Sequence, residues 1–137
     1  MNRMEFRQLA LLRLGEARAL LTANQPSGAY YMSGYAVECA LKACAAKSFL
    51  RHDIPRKEAV ASLYEHNLER LVRAAKLEPA LAAATLADPA LQVNWLAVKD
   101  WDVISRYSTW TMAQAQDMVD AIGHHQHGVL RWIKRHW

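Results

Sequence analysis

The side chains best suited to chemistry in this 137-residue chain fall in four places. The first is Arg106-Tyr107, with Trp110 three residues further on. A planar cation beside aromatic rings suits a phosphate together with a stacked base, because the guanidinium fork donates to oxygens while a ring offers its face. The same residues would equally make a packed loop whose arginine bridges helix ends. The second place is the basic tail, where Arg131, Lys134 and Arg135 sit among Trp132, His136 and Trp137 with no acid between them. These cations would attract an anion, and they would also complement the dipole at a helix C-terminus.

The third place is His124, His125 and His127. Imidazole is a common metal ligand, but zinc needs a third ligand and supported outer contacts. On a continuous helix only His124 and His127 share a face, and no carboxylate stands one turn from both. The expectation is solvated or interface histidines, with no metal and no other cofactor. The fourth place is Glu38 and Lys42, four residues apart in the favourable order for an intrahelical ion pair. A structural anchor is expected there, with a buried functional pair as the other reading. Cys39 and Cys44 lie five apart on the same helix, so their thiols diverge by about 140° and cannot pair with each other.

Helices must position these groups. Five glycines and four prolines supply too few turns for many short strands, and 53% hydrophobic residues give enough apolar surface for a core without metal or disulfide staples. Residues 4–24 carry Phe6, Leu9, Ala10, Leu14, Ala17, Leu20 and Leu21 at helical steps of three and four. Asn24-Gln-Pro-Ser-Gly28 reads as a stop followed by a start, hence a helical hairpin. From Ala29 to about Phe49 apolar or small residues point in nearly every direction, the mark of a central helix or one shared with a second subunit. Gly34, Ala36, Ala40 and Ala43 would let neighbouring backbones come close, and Tyr30, Tyr31 and Tyr35 read as core or dimer-interface residues.

Arg51-His-Asp-Ile-Pro55 should break that helix, since Pro55 disfavours helical geometry at Ile54. A shorter helix bearing Leu63, Leu68, Leu71 and Val72 follows, with His66 and Asn67 expected to cap its restart. Residues 77–98 read as helical with an interruption at Asp88-Pro89, and Trp101 to Trp110 as an irregular aromatic corner. The final helix is expected to run unbroken from a cap at Thr109 or Thr111 to Trp137, on the stripe Ala115, Val119, Ile122, Gln126, Val129, Ile133 and Trp137. The predicted fold is all-α: one domain over residues 1–137, an antiparallel up-and-down bundle of four to five helices.

The net charge is +4 and the isoelectric point about 9.3, which permits a nucleic-acid partner without requiring one. No apolar run approaches the roughly 18 residues of a membrane span. Arg3, Glu5 and Arg7 interrupt anything resembling a secretory start. With thiols that cannot pair, the expectation is a reduced, cytoplasmic protein with no membrane partner.

Three passages taken together resemble one family. They are Ala29-Tyr-Tyr-Met-Ser-Gly-Tyr-Ala-Val-Glu-Cys-Ala-Leu-Lys-Ala43, His66-Asn-Leu-Glu-Arg-Leu71, and Ser105-Arg-Tyr107 ahead of the final helix. Their order and spacing are similar to those of the HEPN domain, and the likeness spans essentially the whole chain. Gly34, Glu38, Lys42, His66 and Asn67 belong to that signature. The resemblance implies a bundle of four or five helices that dimerises. Members include metal-independent ribonucleases, many of them toxins neutralised by a nucleotidyltransferase partner, and others that bind nucleotides, RNA or proteins without catalysis.

Ribonuclease members of that family carry Arg, four to six residues, then His, the first to steady phosphate charge and the second to move a proton. The matching arginine would be Arg106, but the three allowed positions hold Thr111, Met112 and Ala113. Arg131 and His136 match the spacing literally. Eleven arginines and six histidines give about 1.4 such matches by chance, so the match by itself is uninformative. The expectation is therefore a non-catalytic homodimer that binds RNA or a nucleotide through Arg106, Tyr107, Trp110, Arg131, Lys134 and Arg135, or that partners a nucleotidyltransferase. A metal-independent ribonuclease is the first alternative, with Arg131 and His136 as a candidate pair. A protein-binding or structural dimer is the second.

Overall fold

Asn2 opens the first helix as sequence rules demand. Its side-chain oxygen accepts the Glu5 N–H at 3.0 Å while the Glu5 carboxylate accepts the Asn2 N–H at 2.8 Å. This reciprocal cap starts α1, Arg3–Thr22. In the computed structural model, which describes residues 1–49 and 52–137, Asn24 then takes a left-handed φ of 58°, and Pro26 stands at the start of α2, Pro26–Ala46. A left-handed asparagine and a proline with a pre-set φ are what a tight reversal needs. The two long helices therefore form an antiparallel hairpin. Its seam is made by Ala10, Leu14, Ala17 and Leu21, all buried, with Phe6, Leu9 and Leu20 packed at the edges.

α2 is central, as its composition implies. α1, α4, α7 and α8 (defined below) and the 3₁₀ turn Val103–Tyr107 all pack on it, which is why Ala36, Val37, Ala40, Leu41 and Ala43 have no exposed surface. Gly34 serves a purpose different from the expected backbone approach. A Cβ there would stand 2.2–2.3 Å from the indole of Trp101, so the glycine makes room for a buried ring.

Six shorter helices complete the chain: α3, Lys57–Ala61; α4, Leu68–Ala74; α5, Glu78–Ala87; α6, Pro89–Val98; α7, Met112–Gly123; and α8, Val129–Lys134. The described residues thus contain eight α-helices, two 3₁₀ turns and no strand, more pieces than the four or five helices expected. Arg51, part of the expected break after α2, lies outside the described residues. α5 and α6 meet at Asp88, whose carboxylate oxygen accepts the N–H groups of Ala90 and Leu91 at 3.1 and 3.2 Å and so caps α6.

The final helix is not continuous. Thr111 and Gln114 form a capping box at the start of α7, as its sequence suggests, but the helix stops at Gly123. His124 leaves helical geometry, with φ −55° and ψ 132°, and its Nδ1 accepts the N–H groups of Gln126 and His127 at 3.1 and 3.0 Å. Gly128 closes the turn where a Cβ would lie 2.5 Å from the His124 carbonyl and 2.7 Å from that of Ile122. Because helix and turn both end in register, the apolar stripe continues into α8, and Val129, Leu130, Trp132 and Ile133 remain buried. One cluster of buried side chains joins every helix except α3. No helix among the described residues is long and apolar enough to cross a membrane.

Candidate functional site

Trp101 and Trp110 fix the two ends of the aromatic corner. Trp101 is buried against Gly34, and Trp110 stacks face to face on Tyr30 of α2 with ring centres 3.6 Å apart and planes 9° off parallel. The Trp110 N–H donates to the Ser27 hydroxyl at 2.9 Å, and its indole N–H to the Ser105 carbonyl at 3.4 Å. Between these anchors Asp102 caps the 3₁₀ turn by accepting the Ile104 N–H at 2.9 Å. Arg106 and Tyr107 project from the turn's far end. The segment is pinned at both sides and presents its middle to solvent.

Arg106 is exposed, and its guanidinium carbon lies 4.9 Å from the centre of the Tyr107 ring. Tyr107 is 76% exposed. The neighbouring Tyr107 hydroxyl, and after it that of Tyr31, favour the charged form of the guanidinium. Among the described residues no carboxylate pairs with Arg106. An exposed cation with an open ring beside it can take a phosphate oxygen and a stacked base at once. One face of the Trp110 ring is closed by Tyr30, while Tyr107 is largely exposed. Trp110 holds the turn through Ser27, Ser105 and Tyr30, and Tyr107 is the more open ring. Tyr31 is the contributor the sequence reading missed; only the fold brings α2 beside Arg106.

The basic tail forms a separate patch. Arg131, Lys134 and Arg135 are exposed on α8 and its end. α8 packs against the other end of α2, where the Lys47 amine donates to the His136 carbonyl at 3.4 Å and the Cys44 thiol faces the Ile133 carbonyl at 3.8 Å. Tyr31 and Cys44 are thirteen residues apart on one helix, about 20 Å. The six cationic and aromatic residues of the sequence reading therefore do not converge on one site. Nor do Arg131 and His136 converge: the Arg131 guanidinium donates to the His125 carbonyl, while the His136 ring packs on Trp132 with centres 4.9 Å apart. Burial, then the nearby Lys47 and Arg135 charges, push the His136 imidazole below its usual range.

The histidine cluster occupies the α7–α8 turn rather than a helix face. His127 Nδ1 lies 2.7 Å from the second carboxylate oxygen of Asp88, and Asn94 donates to the His127 carbonyl at 2.8 Å. These contacts tie the turn to α6. No three His, Cys, Asp or Glu side chains among the described residues are grouped to hold a metal ion.

Glu38, Lys42 and His66 meet at the middle of α2. Glu38, 1% exposed, receives a hydrogen bond from the Lys42 amine at 2.7 Å, and His66 Nδ1 lies 3.1 Å from both of its oxygens. His66 does not cap α4 as expected. Asn67 does, accepting the Arg70 N–H at 3.0 Å, which frees the imidazole to reach across to α2. Cys39 and Cys44 are both buried and unpaired, and burial raises their thiols from 9.0 to about 12 and about 11. Compared with protein-family models, curated proteins and solved structures, the chain gives no match in any of the three.

Proposed function

We propose that this chain is a HEPN-type helical bundle that binds a nucleotide or single-stranded RNA as a homodimer, without cleaving it. The single observation that carries the reading is the Arg106–Tyr107 unit: an exposed cation seated on an exposed ring and held out from the bundle by two anchored tryptophans. Arg106 takes the phosphate and Tyr107 the base. Arg131, Lys134 and Arg135, about 20 Å away along α2, contribute to a longer RNA by attraction at a distance rather than at the same site.

The signature cluster supports a structural role for Glu38, Lys42 and His66, because all three are spent on one another. Two buried thiols that cannot meet suit a reducing compartment and support the cytoplasmic reading. The resemblance also leaves open a nucleotidyltransferase as partner.

The test is fluorescence anisotropy of a labelled single-stranded oligoribonucleotide, and of a nucleoside triphosphate, in EDTA and low salt. Binding should fall at least about tenfold in Arg106→Ala and weaken steeply with added salt. No binding in low salt would leave a protein-binding or structural dimer. RNA cleavage in EDTA that disappears in Arg106→Ala would make the chain a metal-independent ribonuclease instead.

A further inference from the structure

We infer that the outward face of α1 is where two copies of this chain pair, with their first helices parallel about a twofold axis. This supplies an interface for the dimer proposed above and uses none of the residues of the Arg106–Tyr107 site. α1 buries Ala10, Leu14, Ala17 and Leu21 against its neighbours, yet it is apolar on the opposite side as well. Met4, Leu11 and Leu12 are 57%, 47% and 54% exposed. At about 100° per residue they share one stripe with Gln8, Gly15, Ala19 and Thr22. A solvated helix face normally carries charge at such positions.

Gly15 stands in the middle of that stripe. Nothing lies within 4 Å of where its Cβ would be, so no neighbour in the fold requires glycine. Glycine inside a helix weakens it relative to alanine. Its presence here is explained if another backbone approaches at that point, with Ala19 one turn on leaving the same room.

Charge selects the occupant and its direction. One edge of the stripe carries Arg7 and Arg18, and the other carries Glu5 and Glu16. Each of these groups also has a contact within its own chain: Glu5 accepts the Asn2 N–H through one carboxylate oxygen, Arg7 lies 5.1 Å over the Trp137 ring, Glu16 uses one oxygen on Arg13, and Arg18 makes a 3.3 Å contact with the Gly123 carbonyl. In an antiparallel pair each edge would face its own copy, setting arginine against arginine. In a parallel pair the basic edge of one helix faces the acidic edge of the other, twice over by symmetry. The heights agree: Glu5 is two residues from Arg7, and Glu16 two from Arg18, about 3 Å of rise in each case. A second copy of this chain therefore matches the surface in charge and direction, with the four edge groups sharing their present contacts with the partner.

The experiment is sedimentation of the whole chain over a concentration series. The wild type should reach twice its 15.5 kDa mass. Gly15→Lys and Leu11→Glu, both at open positions that leave the monomer core alone, should hold it at one mass while retaining the wild-type helical circular dichroism. Direction is read from Met4→Cys, which should form a disulfide-linked dimer on mild oxidation because the two copies of residue 4 adjoin only in a parallel pair. Cys39 and Cys44, being buried, do not compete. A wild type that stays monomeric, or a dimer unaffected by both variants, overturns the assignment. Failure of Met4→Cys to cross-link in a dimer that the two variants abolish overturns the parallel arrangement. Loss of RNA binding with the dimer intact bears on the ligand site alone, so the two readings fail separately.

Discussion

His66 reaches from the start of α4 to Glu38 in the middle of α2, its Nδ1 3.1 Å from both carboxylate oxygens. With Lys42 at 2.7 Å this closes the coordination of a carboxylate that has almost no contact with water. Burying a charge is costly unless its partners are in place, so the three residues fix how α4 docks on the central helix.

Removing one partner should therefore be severe. Lys42→Met leaves the Glu38 charge buried with only an imidazole beside it and should cost about 3–5 kcal/mol in urea unfolding. The double variant Glu38→Leu with Lys42→Met removes both charges and should recover most of that loss. Equal stability of Lys42→Met and wild type would show that Glu38 is not held there as an anion.

Gly34→Ala tests the seat of Trp101. The added methyl would stand 2.2–2.3 Å from the indole, and both groups are walled in. Overpacking of this kind costs about 1–3 kcal/mol or more. A lower Tm and an altered near-ultraviolet tryptophan signal are expected. An unchanged signal would mean the ring does not lie on Gly34.

Alkaline pH should loosen the fold. The thiols of Cys39 and Cys44 ionise at about 12 and about 11 in the folded chain, against 9.0 when exposed, and burial likewise raises Tyr30 and Tyr35. The unfolded chain thus loses these protons first. This contribution to stability is intact below pH 9 and is lost as pH climbs from 9 towards 11 and 12. Urea midpoints across that range should fall, and less so in Cys39→Ala. Native protein at neutral pH should resist thiol reagents that label it fully once unfolded.

Acid acts in part through Asp88 and in part through Glu65, whose carboxyl the Asn67 N–H and then Arg70 hold low. His127, first, and then the N–H groups of α6 hold the Asp88 carboxyl below the usual 3.8. A depressed carboxyl stabilises the fold above its unfolded value and stops doing so as pH drops through the folded one. Asp88→Asn should flatten the loss of stability below pH 3.8, measured by thermal melts. Melts that keep the wild-type slope would place the acid-sensitive contact elsewhere.

Two aromatic residues of the corner should separate binding from stability. Tyr107→Ala removes an exposed ring and should weaken RNA binding with less than about 0.5 kcal/mol change in stability. Trp110→Ala removes the stack on Tyr30 and should destabilise by about 1–3 kcal/mol. The reverse pattern would restore Trp110 as the contact surface.

Much of the architecture is legible in local pattern. The α1 stripe, the hairpin at Asn24–Pro26, the encircled α2 and the α5–α6 joint at Asp88-Pro89 all follow from spacing, propensity and caps acting within a few residues. The break in the last helix was hidden because its apolar positions keep helical spacing across Gly123–Gly128. The signal was present in Gly128, but its necessity comes from the His124 and Ile122 carbonyls closing over it. The Glu38–Lys42 pair was readable because both partners are on one helix. His66, twenty-eight residues from Glu38, was not.

By itself the sequence determined the elements and the inventory of chemistry: an all-helical chain, a buried ion pair, thiols that cannot meet, and cations near Arg106 and at the tail. Those properties depend on neighbours one or two turns away. Tertiary structure alone decided the groupings. It seated Trp101 on Gly34, gave Trp110 to Tyr30, left Tyr107 as the open ring beside Arg106, and separated that pair from the tail by about 20 Å along α2. Such choices depend on which side chains compete for the same space after the helices have packed, and no spacing along the chain records that competition.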